Sequence, residues 1–327
     1  MHEPVRNSRT ADDGAGSVPT AAGGTGTGTG TEDLTAGHAG TDPATEAFVA
    51  HHNLLFTVAY EMLGSAADAE DVLQESWLRW AGVDQGTVRD PRAFLVRVTT
   101  RQALTRLRTL RRRKESYVGP WLPEPLLTAP DVAEDIELAD SVSMAMLLVL
   151  ETLAPTERAV FVLREVFALD YEEIARAVGR RPATVRQIAH RARAHVAARR
   201  PRETVPPDRT RAVLTAFRQA VETGDLTALL GLIAPDVVLL TDGGGVVRAA
   251  PEPVVGARAV AAVLGRIDAS TLSHAQVNGH PALVLRTAGT IDTVLAVRLN
   301  GGLITGLYAV RNPEKLARLD HETAVTR

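Results

Sequence analysis

The stretch from Leu169 to Arg200, LDYEEIARAVGRRPATVRQIAHRARAHVAARR, admits few folds. Tyr171, Ile174, Ala175 and Val178 fall on one face of a first helix, and Gly179 follows where a sharp turn needs a positive φ. Pro182 is tolerated in the first turn of a second helix, because its missing N–H would have had no intrahelical partner there. In that helix Val185, Ile188, Ala189, Ala192 and Val196 recur at helical spacing, which leaves Thr184, Arg186, Gln187, His190 and Arg191 pointing outward. This is the layout of a helix-turn-helix, with residues 183–197 as the groove helix. A solvated basic helix packed on its neighbour is the plainer alternative. Eight arginines and no carboxylate between Arg180 and Arg202 weigh against it and add Arg180, Arg181 and Arg193 to the candidate DNA contacts.

The net charge of -3 conceals strong segregation. Residues 1–88 carry -10, 89–114 carry +9, 115–179 carry -10, 180–204 carry +7 and 205–327 carry +1. Each basic block can neutralise several phosphates, so two separated blocks suggest two contacts with one nucleic acid. A chain of 327 residues accommodates two or three domains. It has no cysteine, which excludes disulfides, thiolate metal sites and cysteine nucleophiles. No membrane-length apolar run or signal peptide is present, and a cytoplasmic protein without a membrane partner is expected.

The first 43 residues are rich in Gly, Thr and Ala and cannot bury enough apolar surface to order, so a disordered tail is expected over 1–43. From Ala44 to about Gly64, Phe48, Leu55, Val58 and Met62 mark a helix. Ser65 and Asp68 then form a capping pair before DAEDVLQESWLRW. There Ala69, Val72, Leu73, Trp77 and Trp80 make the buried stripe, while Asp68, Glu70, Asp71, Gln74 and Glu75 crowd the other face. Asp90 and Pro91 start a third helix, running to about Arg113. Its apolar stripe, Phe94, Leu95 and Val98 followed by Leu104, Leu107 and Leu110, drifts around the axis towards two different partners. Arg92, Arg97, Arg101, Arg106 and Arg108 occupy its other faces.

Those helices resemble the second conserved region of bacterial sigma factors of the extracytoplasmic-function (ECF) group, and the stretch from Leu169 resembles their fourth. The resemblance implies that the acidic helix docks on RNA polymerase core, with Asp68, Asp71, Gln74 and Glu75 as candidate contacts. It implies that the basic helix recognises and melts the minus-10 promoter element, with Arg92, Arg97, Arg101, Arg106 and Arg108 as candidate contacts. The groove helix is then at the minus-35 element, where Arg186, Gln187 and Arg191 suit purine edges and His190 suits phosphate.

Between the two regions, YVGPWLPEPLLTAPDVAED reads as an extended, partly stiff linker over 116–135. Ile136 to Leu153 reads as one Leu- and Met-rich helix, and Pro155 opens another; with the helix-turn-helix they complete a module over 136–202. After a second linker at 203–209, Thr210 to Ala234 is helical. PDVVLLTDGGGVVRA reads as two strands around a glycine turn, and Val255 to Ile267 as a helix. Runs broken by Asn-Gly, Gly-His-Pro and Asn-Gly-Gly signal a curled antiparallel sheet. Helices followed by a curved sheet suggest an α+β cone over 210–320, with a tail over 321–327.

That cone resembles the SnoaL-like domains of the NTF2-like superfamily. Asp242, Asp268, His274, His280 and Asp292 form no motif at a spacing that catalysis requires, so no enzyme activity, metal or cofactor is expected. A small-molecule ligand in the cone stays open. WLPEP at Trp121–Pro125, DGGG at Asp242–Gly245 and NPEKL at Asn312–Leu316, together with the two sigma regions, resemble the SigJ-like or ECF41 group with a fused SnoaL-like domain. Glu314 stands where aspartate is common there, and no lysine follows the DGGG directly. The resemblance implies that Trp121, Pro123, Glu124, Asp242, Gly243, Gly244, Asn312 and Pro313 carry a regulatory contact between the fused domain and the sigma modules. The alternative is a ligand-sensing helix-turn-helix regulator that never meets polymerase, which leaves the acidic helix without a use.

Overall fold

The computed structural model describes residues 42–129, 135–200, 205–266, 272–319 and 321–326. The glycine-rich tail before Asp42, Asp268 and parts of both linkers lie outside them.

Three helices form the first module: α1 (Pro43–Leu63), α2 (Ala66–Ala81) and α3 (Pro91–Glu115). Gly64 ends α1 in the left-handed conformation at φ 69°, and the Ser65 hydroxyl accepts the Asp68 N–H at 3.1 Å to open α2. The Trp80 indole N–H donates to Ala44 O at 2.7 Å, fixing the end of α2 to the start of α1. The drifting stripe of α3 does meet two partners: α1 and α2 on one side, the second module on the other.

That second module comprises α4 (Ile136–Val142), α5 (Met144–Glu151), α6 (Pro155–Phe161), which continues as a π-helical turn over Val162–Val166, α7 (Tyr171–Val178) and α8 (Pro182–Ala197). The single helix expected over 136–153 is two. Ser143 adopts φ −56° and ψ 147°, and its hydroxyl accepts the Met146 N–H, so the residue that would continue α4 caps α5 instead. Gly179 closes α7 at φ 67°, as the turn requires. The two modules share one apolar core, with Leu55, Trp80, Leu104, Leu147, Val160, Ile174 and Ile188 among its members.

The C-terminal domain runs α9 (Pro207–Thr223), α10 (Leu226–Leu232), β1 (Ile233–Asp242), β2 (Val254–Val255), α11 (Ala257–Leu264), β3 (Leu272–Val277), β4 (His280–Thr287), β5 (Thr290–Asn300), β6 (Leu303–Val310) and α12 (Pro313–Leu316). The sheet order is β2-β1-β6-β5-β4-β3. It is not wholly antiparallel as expected, because β6 returns alongside β1 in parallel. Nor does a strand form directly after the glycine turn; the chain pairs back with β1 only at Val254–Val255. One face of the sheet closes a core with α9, α10 and α11, including Leu214, Phe217, Val237, Leu283 and Leu307. The other packs Val277, Val284, Val294, Tyr308 and Val310 on Leu122, Met144 and Leu316. Burial on both faces explains why runs such as LITGLYAV show no alternation.

The first linker is buried rather than free. Leu126–Thr128 runs antiparallel to β3, with Leu127 bridged to Val277 and the Thr128 N–H donating to Gln276 O. The tail is also held: Val325 lies in the core of the sigma-like modules and the Thr326 N–H donates to the Thr57 hydroxyl. No described helix is long and apolar enough to cross a membrane.

Candidate functional site

The outward face of α8 is assembled as its spacing implies. Thr184, Arg186, Gln187, His190, Arg191 and Arg193 are exposed on the helix, with Arg180 and Arg181 exposed in the turn before it. Three of these arginines rest on carboxylates: Arg186 on Glu172 at 3.1 Å, Arg193 on Glu165 at 3.2 Å and Arg191 on Glu157 at 3.8 Å. Exposed pairs of this kind contribute about 0 to 1 kcal/mol, so a phosphate or a purine edge can replace the carboxylate at little cost.

The basic helix α3 is less free. Arg92 and Arg108 are exposed, and Arg97 lies over the Phe94 ring at 5.0 Å. Arg101 instead donates to Arg176 O at 2.9 Å and Ala177 O at 3.4 Å, covering the C-terminal end of α7. Arg106 turns to α2, with its Nε 3.1 Å from Asp68 and a second contact to Asp71. Two arginines expected at DNA, and two aspartates expected at polymerase, are thus engaged within the molecule. Gln74 and Glu75 stay exposed on α2, beside an exposed Leu78 that polarity-based reading passes over.

The three C-terminal motifs converge on the linker. Asp242 is fully buried: Oδ1 accepts from Gly244 N–H and the Tyr117 hydroxyl, and Oδ2 accepts from Leu122 N–H at 2.9 Å and Lys315 Nζ at 2.6 Å. Lys315 also donates to Leu122 O at 2.6 Å, and its ammonium sits 3.5 Å from the Trp121 ring centre. Burial pulls the Lys315 pKa down to about 8 in spite of the Asp242 charge. Asn312 caps α12 through the Glu314 N–H, leaves Pro313 at the first helical position, and donates to the Tyr117 hydroxyl at 2.8 Å. The glycines are sterically required. A Cβ on Gly243 would lie 2.4 Å from Val247 O, and one on Gly244 would lie 2.5 Å from the Asn312 side chain. Tyr117 and Lys315 lie inside the motifs quoted from the sequence, yet only the fold shows that they complete this cluster.

Glu124 clamps the corner between α1 and α2. Its carboxylate accepts from the Ser65 hydroxyl at 2.9 Å and Ala67 N–H at 3.2 Å, and its backbone N–H donates to Gly64 O. Pro123 is buried beside it, facing the same glycine. Behind this corner Arg158, 1 % exposed, donates to Glu61 O at 2.9 Å and Glu151 at 2.7 Å, while Lys114 reaches Glu151 from α3. Burial holds the Glu61 carboxyl up at about 8 against the opposing influence of Ser141 and Arg158.

Among the described residues, the groups that an enzyme site would have used do not converge. Asp242 is in the linker cluster, Asp292 pairs with Arg311 at 3.2 Å, His274 meets Thr215 at 3.3 Å, and His280 meets Ala139 O at 3.1 Å. Among the described residues no group of three His, Asp or Glu is placed to hold a metal.

Residues 47–113 match Sigma-70 region 2, and residues 143–196 match Sigma-70, region 4. The chain is 33% identical over 293 residues to the ECF RNA polymerase sigma factor SigJ of Mycobacterium tuberculosis (strain ATCC 25618 / H37Rv), covering 82% of this chain and 91% of that one. It is 34% identical over 288 residues to the probable ECF RNA polymerase sigma factor SigI of Mycobacterium tuberculosis (strain CDC 1551 / Oshkosh), covering 86% and 97%. The crystal structure of Mycobacterium tuberculosis SigJ superposes with a TM-score of 0.69 at 31% identity, covering 84% of this chain and 99% of that one.

Proposed function

This chain belongs to the ECF RNA polymerase sigma factors, which direct core polymerase to promoters, and we propose how its surfaces divide that work. Helix α8 enters the major groove of the minus-35 element, with Arg186, Gln187 and Arg191 on base edges and Arg180, Arg181, Thr184, His190 and Arg193 along the phosphates. Helix α3 holds the melted minus-10 strand through Arg92, Arg97, Arg101, Arg106 and Arg108. The edge of α2 carrying Asp68, Asp71, Gln74 and Glu75 meets a basic surface of polymerase. The modules divide at residues 44–115, 136–202 and 210–320, and the last of these modulates the other two.

The observation that carries the modulating role is the buried linker. Leu122, Glu124 and Leu126 are 0 %, 3 % and 3 % exposed, held between the sigma modules and the C-terminal domain by Lys315, Asp242 and Asn278. Such a linker cannot leave either side without breaking the buried hydrogen bonds it makes there, to Ser65, Ala67 and Gly64 on one and to Asp242, Asn278 and Lys315 on the other. The test is in vitro transcription with core polymerase, comparing the full chain with one ending after Pro207. Promoter output is expected to differ between them; equal output at every promoter removes the modulating role. The alternative of a ligand-sensing regulator that never meets polymerase is not favoured by the family membership.

A further inference from the structure

The β3–β4 hairpin ends in Asn278–Gly279, with φ of 54° and 71°, conformations that this residue pair supplies at low cost in a two-residue turn. The sequence signals the turn but not where its tip goes. Asn278 is 1 % exposed and lies outside the core of its own domain, where three other parts of the chain meet. Its Nδ2 donates to the Tyr60 hydroxyl on α1 at 2.6 Å and to Val142 O at the end of α4 at 2.9 Å. Its Oδ1 accepts the Leu126 N–H at 3.1 Å, and its own N–H donates to Leu126 O at 2.9 Å.

Each partner is available for a local reason. The break at Ser143 leaves the last carbonyls of α4 without intrahelical donors, and Val142 O is one of them. Tyr60, itself fully buried, donates its hydroxyl hydrogen bond to Glu124 O at 2.7 Å, which leaves its oxygen as an acceptor. The linker, running beside β3, presents Leu126 with both backbone groups towards the tip. An amide is the side chain that offers two donors and an acceptor at one end, so aspartate of the same shape would place an oxygen against Val142 O.

The packing that this tip holds is one in which both promoter elements cannot be read together. Arg101 on the minus-10 helix touches α7, and α7 packs directly on α8. Elements centred at minus-10 and minus-35 are about 25 base pairs apart, or ~85 Å of duplex at about 3.4 Å per base pair. The modules must therefore part when they engage a promoter.

We propose that Asn278 is a positioning residue through which the C-terminal domain holds the two sigma modules together, and that withdrawing its hairpin frees α1, α4 and the Leu126 end of the linker at once. The regulatory use of this contact rests on the reading of the C-terminal domain as a modulator; the contact itself does not.

The chain has no cysteine, so Ala50→Cys and Ala198→Cys, both at exposed positions of the full chain, create two unique spin-label sites for distance measurement. Asn278→Asp is expected to move the distance distribution to longer values while far-UV circular dichroism is retained. Tyr60→Phe, which leaves the hairpin untouched, is expected to move it in the same direction by less. The double variant is expected to go no further than Asn278→Asp alone. Asn278→Gly keeps the positive φ and decides the matter if the aspartate variant fails to fold. Distributions unchanged in both Asn278→Gly and Tyr60→Phe overturn the proposal, as does full additivity in the double variant. Transcription from the same variants reports separately: a longer distance with unchanged output upholds the contact and overturns the modulator reading.

Discussion

Arg106 on α3 places its Nε 3.1 Å from Asp68 Oδ1 on α2, so a residue assigned to promoter DNA neutralises one assigned to polymerase. The two surfaces are therefore coupled before either partner arrives. A double-mutant cycle of Arg106→Ala and Asp68→Ala, read by urea denaturation, is expected to give a coupling of about 1 kcal/mol or less, since Arg106 remains 30 % exposed. In transcription assays Arg106→Ala is expected to slow promoter opening while core-polymerase affinity holds. Loss of polymerase affinity would assign this pair to docking instead.

Lys315 and Asp242 form the ion pair most removed from water in the C-terminal domain's contact with the linker. Replacing Lys315 by Met leaves the Asp242 charge buried beside Trp121 without its counter-ion, and chemical denaturation should show a loss of about 3 to 5 kcal/mol. Adding Asp242→Asn should recover part of that loss. A single variant within about 1 kcal/mol of the parent would mean that Asp242 is neutralised some other way.

Glu61 makes the body sensitive to pH. Burial raises its folded-state pKa to about 8, above the ordinary glutamate value, so the native state holds a proton that the unfolded chain gives up. This contribution is fully present below the unfolded pKa and is lost as pH rises towards 8, with a slope of up to about 1.4 kcal/mol per pH unit. Stability measured from pH 5 to 9 should fall accordingly. Glu61→Gln, which keeps a neutral side chain at every pH, should flatten the profile; an unchanged slope would point to another group.

Arg186 and Arg191 project from α8 with partners that cost little to replace. Changing each to alanine is expected to weaken binding to minus-35 sequence by about 1 to 3 kcal/mol per lost base contact, with core-polymerase binding intact. Electrophoretic mobility of holoenzyme on promoter fragments with altered minus-35 elements separates the two. Equal losses on every fragment would reassign both arginines to phosphate.

The helix-turn-helix was legible because its signals are local. Gly179, Pro182 and the spacing from Val185 to Val196 are facts about neighbouring residues, and they determine turn, start and face. The break at Ser143 was not, since a run rich in Leu and Met propagates helix unless tertiary donors take up the released carbonyls, as Asn278 does for Val142. The parallel pairing of β1 with β6 escaped for a similar reason: strand signals mark edges and turns, while partners are chosen across the domain. On the site, the polar faces of α2 and α3 were visible as faces. Amphipathicity says which side is polar, but not that Arg101 and Arg106 would spend that polarity on α7 and α2. Lys315 and Tyr117 stood within quoted motifs, and only burial distinguishes an ion pair from a solvated lysine.

The linker segment along β3 has a price when the modules part. Leu126–Thr128 occupies the row of backbone donors and acceptors that β3, at the end of the sheet, would otherwise present to solvent. Once it leaves, that row becomes a template for any extended chain, next to apolar Val277, Val284 and Val294 on the uncovered face. An opened molecule without polymerase is therefore expected to pair with copies of itself. Conditions that favour opening are therefore expected to favour self-association as well, which light scattering across a concentration series would show.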